Sequence, residues 1–138
     1  MISRFAVREF ILEMEVSYKF HNCSMCDYIM KMTNNENVGV SVTRAMNHTN
    51  PLLFSVDDGM RLLSKKLHGL VVARNGVSSR NRFQKCILHV FCQCTAIAQI
   101  LSEVHERILE TISDDDPIHE VVIVLTVCSV RWLYTNVV

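Results

Sequence analysis

Apolar residues recur along much of this chain at the spacing of an α-helix. Val7, Ile11, Met14 and Tyr18 fall on one face of a predicted first helix, with Arg8, Glu9, Glu13 and Glu15 off it and Ser3 as its cap. Residues 21–36 read as a connection. Val38, Val42 and Ala45 resume the helical spacing, and that segment must stop before Pro51, whose ring disfavours helical geometry at Asn50. Leu52, Val56, Met60, Leu63 and Leu67 form a second stripe, with Gly69 as its stop and Asn75-Gly76 as a turn. Phe83, Cys86, Ile87 and Val90 suggest a further amphipathic helix.

The clearest stripe comes next. Ile97, Ile100, Leu101, Val104, Ile108 and Leu109 keep one face, while Glu103, Glu106, Arg107 and Glu110 take the other. Asp116 and Pro117 suit a helix start, one accepting free backbone N–H groups and the other lacking its own. Residues 121–130 are β-branched and could form a strand. With no second strand pattern nearby to pair with, they are read as a buried helix. The expected fold is therefore all-α, a bundle in one domain spanning residues 1–138.

Composition narrows the function classes. The chain of 138 residues is 49% apolar and 20% charged, within the globular range, and its four glycines and two prolines are few for a turn-rich β fold. The formal net charge is zero, with no dense run of Lys or Arg, so the electrostatic footprint of nucleic-acid binding is missing. Arg4, Arg8, Glu9 and Glu13 interrupt any secretory leader, so the six cysteines are expected to be reduced in the cytoplasm. The apolar run at 121–130 is shorter than the roughly 20 residues a membrane-spanning helix needs, so no stable span is expected.

Candidate chemistry is sparse. His21, Cys23 and Cys26 with His89, Cys92 and Cys94 could supply tetrahedral zinc ligands, but a zinc ribbon shows two C-x-x-C pairs and this chain has one. No Gly-rich phosphate loop, strained nucleophile elbow or H-E-x-x-H pair appears. The acidic run 114–116 reads as helix capping. The expectation is a non-enzyme with no cofactor and no metal.

Four blocks carry a resemblance to a known family. Arg8-Glu9-Phe10-Ile11-Leu12 followed by Ser17-Tyr18-Lys19-Phe20 is similar to the first helix of the Bcl-2 (B-cell lymphoma-2) apoptosis regulators. Lys66-Leu67-His68 resembles the end of that family's third helix. Arg82-Phe83 with Cys86-Ile87-Leu88-His89-Val90-Phe91 resembles its fourth, and Trp132 the tryptophan opening its seventh. The family's N-W-G-R motif is replaced by Ala96-Ile97-Ala98-Gln99, and its later G-G-W motif is missing. A short, divergent chain of this kind resembles the pro-survival homologues that large DNA viruses encode, iridoviruses among them.

The resemblance implies a Bcl-2-like bundle of about seven helices around a central apolar helix. It also implies inhibition of apoptosis by sequestering the BH3 helix of pro-apoptotic relatives, in the cytoplasm and at mitochondria. Leu52, Val56, Met60 and Leu63 would line one wall of a groove, and Cys86, His89 and Val90 the other, with Ala98 and Gln99 at the floor. Gln99 cannot form the charged pair that the family's arginine makes, which implies a narrow subset of BH3 partners. The rival readings are a helical interaction or homodimerisation module of another family, and a small Cys/His zinc module.

Overall fold

The computed structural model describes residues 7–12, 27–76, 82–83 and 85–128. They form a mixed five-stranded sheet with two helices, so the all-α expectation is overturned. Strands β1 (Val7–Leu12), β2 (Tyr28–Met32) and β3 (Asn37–Ala45) make an antiparallel meander. Helix α1 (Val56–Gly76) then carries the chain to β4 (Lys85–Cys92), parallel to β3, and α2 (Thr95–Thr111) carries it to β5 (Val121–Val127), parallel to β4. The strands lie side by side in chain order.

Each departure from the expected helices has a physical reason. The Asn34-Asn35 region is a tight hairpin between β2 and β3. Asn35 takes φ 68°, a left-handed conformation that asparagine tolerates, and the Met32 N–H donates to the Glu36 carbonyl at 2.8 Å. In β3 and β4 the helix-like spacing arises because central strands carry apolar residues on both faces, which blurs the period of two. Thus Cys86, Leu88, Val90 and Cys92 are buried, while Ile87, His89 and Phe91 between them are only half-buried. Residues 121–127 are the strand that β-branching favours. The partner of β5 lies far upstream, with Cys86 beside Val121, and no local pattern announces it. Of the predicted first helix, Val7 and Ile11 fall in β1, while Met14 and Tyr18, like Trp132, lie outside the described residues.

The helices fared better. The stripe from Ile97 to Ile108 is the buried face of α2. Leu63, Leu67, Leu70 and Ala73 are the buried face of α1, which runs past Gly69 to Gly76. It starts at Val56, after a capping box in which Ser55 Oγ accepts from the Asp58 N–H (3.1 Å) and Asp58 Oδ2 accepts from the Ser55 N–H (2.9 Å). Leu52 sits ahead of it, in a 3-10 turn, Pro51–Leu53. Asp116 does cap as expected, accepting from the Ile118 N–H at 2.9 Å, but it opens a second 3-10 turn, Pro117–Glu120, rather than an α-helix.

Topology decides where the core lies. Both crossovers step the same way across the sheet, and the right-handed rule for parallel units then puts α1 and α2 on the same face. There they pack on each other: a Cβ added at Gly59 of α1 would sit 3.3 Å from both Ile100 and Val104 of α2. The core lies between this helical layer and the sheet, built from Leu63, Leu67, Leu70, Leu88, Val90, Ile97, Leu101 and Val104 with Ile29 at the β2 side. No helix of the described residues reaches the opposite face of β3, β4 and β5. No helix of the described residues is long and apolar enough to cross a membrane.

Candidate interaction surface

Alternation along the strands assigns the two faces. With Cys86, Leu88, Val90 and Cys92 turned to the helices, Lys85, Ile87, His89 and Phe91 point the other way. The register carries this across the sheet, so Val38, Val40, Val42 and Arg44 of β3 and Val122, Val124 and Thr126 of β5 share the helix-free face.

Burial on that face falls toward the β5 edge. Val40 is 2% exposed and Val42 37%, while Val124 reaches 40% and Val122 58%. Parallel sheets normally have both faces covered, because their crossovers place helices on each side. Here apolar side chains of β3 and β5 face solvent on either side of half-buried Ile87 and Phe91 of β4.

The polar residues of this face are Arg44, Lys85, His89 and Thr126, and Lys85 Nζ pairs with Glu36 Oε2 at 3.0 Å. His89 Nε2 lies 2.8 Å from Thr126 Oγ1, and the His89 ring centroid stands 4.4 Å from that of Phe91. A hydroxyl beside an imidazole is the pairing nucleophilic catalysis uses, but such a pair also needs a group that orients the base. Among the described residues no carboxylate is hydrogen-bonded to His89, and its neighbouring ring is apolar. The pair ties β4 to β5.

The structure scatters the nine residues expected to line a helix-binding groove. Leu63, Cys86 and Val90 are buried in the core, at 0%, 2% and 0% exposure. Met60 and Ala98 pack partly against that core. Leu52 and Val56 are exposed at the start of α1, Gln99 is exposed on α2, and His89 lies on the helix-free face of β4. The expected wall of Cys86, His89 and Val90 is a strand, so its members alternate between two faces instead of sharing one. The same alternation separates His89 from Cys92, two of the candidate zinc ligands, and His21, Cys23 and Cys26 lie outside the described residues. Cys92 is buried, and burial first, then nearby Cys94, pushes its thiol up to about 11. It is a core side chain rather than a ready nucleophile.

A cleft of about 380 Å³ opens at the carboxyl end of β3, where α/β folds commonly bind ligands. Met46, Phe54 and Leu62 give it apolar walls, and Arg44, Arg61, Lys65 and Asp58 give it charge. Arg61 Nη2 is held by Asp58 Oδ1 at 2.7 Å, which offsets one of the three basic side chains and leaves the lining net basic.

Comparison with family models, with curated proteins and with solved structures finds no match. No periodicity in the sequence marks Val42, Val122, Val124 and Thr126 as one surface; the β-branched run of β5, expected as a buried helix, is the one local signal for it.

Proposed function

We propose that this chain acts by binding protein through the helix-free face of β3, β4 and β5, and not by catalysing a reaction. The observation that supports this is the exposure of Val42, Val122 and Val124 on a parallel sheet. A contiguous apolar surface on a folded domain is stabilised when a partner removes it from water, at roughly 25 cal/mol per Å² of apolar area. Half-buried Phe91 and Ile87 extend the patch, and an aromatic ring is a frequent anchor in such contacts. The reading keeps protein binding as the activity but moves it from a groove between helices to a sheet face.

The test uses an apolar fluorescent dye, anilinonaphthalene sulfonate. The native protein should bind it saturably, and a Val42→Lys, Val122→Lys double variant should bind much less while keeping the parent's circular dichroism and melting transition. Dye binding that is absent in the parent, or equal in parent and variant, would rule the surface out.

A further inference from the structure

The two edges of the sheet are built differently. Strand β1 carries Arg8 and Glu9, and its register with β2 shifts between Val7 and Glu9. Charges and irregularities of this kind are how sheet edges discourage pairing with another chain. Strand β5 has neither. Its seven residues, Val121 to Val127, include no charge, no proline and no glycine, and its ladder to β4 runs through all seven without a shift. Among the described residues β4 is its one neighbour in the sheet.

We infer that the occupant of this edge is a second copy of the chain, with β5 pairing antiparallel to β5 of that copy about a two-fold axis. This goes beyond the binding reading above, because pairing at the edge extends the sheet and leaves its helix-free face open. A two-fold contact must be self-complementary, each residue meeting its symmetry mate's partner. Centred on Val124, the strand meets this condition along its whole length. Val121 then faces Val127, Val122 faces Thr126, Ile123 faces Leu125 and Val124 faces itself. Every pair is apolar or β-branched, which suits cross-strand packing, and no like charges oppose. Centring on Ile123 instead would bring Glu120 and His119 opposite Thr126 and Val127 and waste the match. Glu120 stays outside the Val124-centred ladder, held by Arg74 Nη1 at 2.7 Å. The product is a continuous ten-stranded sheet, twice the five of one chain, with the helices of both copies packed on their own halves.

Sedimentation equilibrium of the full chain tests this, with charge swaps at the symmetry centre. The parent should sediment with the mass of two chains at micromolar concentration. Val124→Lys and Val124→Glu should each sediment as one chain, because like charges then face each other across the axis. Mixing the two variants should restore the two-chain mass. Amides of β5 that do not bond to β4 should exchange slowly in the parent and at least tenfold faster in either variant. A parent that stays a single chain overturns the proposal. So does a variant that remains paired, or a mixture that does not recover. Dye binding separates the two readings: a single-chain parent that still binds dye leaves the surface reading intact, whereas one that does not defeats both.

Discussion

Phe83 lies directly over Gly39, so closely that a methyl group on Gly39 would stand 2.3 Å from Phe83 Cε2. Phe83 is 1% exposed and belongs to the core, so its ring has little room to retreat. Gly39→Ala should therefore destabilise the protein by about 1–3 kcal/mol, the range for overpacking. In the Phe83→Leu background, where the offending ring atoms are gone, the same change should cost less. Denaturant melts of the four proteins check this, and additive effects would contradict the contact.

Leu63 and Leu52 lie in the same predicted stripe but in opposite environments, 0% and 76% exposed. Leu63→Ala should cost about 2–5 kcal/mol through lost burial and the cavity left behind. Leu52→Ala should stay within roughly 0.5 kcal/mol, as for surface changes away from special features. Chemical denaturation distinguishes them, and equal losses would mean that the stripe faces the core throughout.

His105 introduces a pH dependence. Its Nε2 is buried without a hydrogen-bond partner. Burial is the main cause holding its pKa below the usual histidine value; His119 adds to this and Glu106 opposes it. The folded state thus binds a proton less readily than the unfolded one. Stability contributed by neutral His105 is complete above the unfolded value near 6.5 and is lost as pH falls below it. Melting temperature should fall as pH drops below about 6.5, and His105→Leu should flatten that slope. An unchanged slope in the variant would assign the effect to another group.

The capping box at the start of α1 acts in the same direction at lower pH. The Ser55 backbone N–H and its hydroxyl, then Arg61, hold the Asp58 carboxyl below its ordinary value. Its contribution is present above the unfolded carboxylate value and lost as pH falls through the folded one. Ser55→Ala should cost about 1 kcal/mol at neutral pH. Thermal melts of the parent and variant should draw closer at acid pH without meeting, because the Asp58 N–H bond to Ser55 Oγ does not depend on the carboxyl.

The fold itself predicts a circular dichroism spectrum with both helix and strand components. A spectrum of a pure helical bundle would contradict the five-stranded sheet.

Local chemistry was legible where it was self-sufficient. The face of α2 from Ile97 to Ile108, the Asp116 cap and the break before Pro51 depend on neighbours within a turn, so their residue types announce them. The same holds for Leu63 and Leu67 of α1. The surface carried by Val42, Val122 and Val124 was not legible, because exposure there depends on which face the crossovers cover.

By itself, the sequence determined the two amphipathic helices, a core large enough for one domain, and a β-branched run that favours a strand. Only the tertiary structure decided that β5 is a strand, because its partner β4 is remote in the chain and pairing energy is non-local. It also decided that Leu63 and Val90 are core, while Val122, equally apolar, meets solvent. The reason is handedness. Two right-handed crossovers stepping in one direction put both helices on one face, and no periodicity within a single element records which face that is.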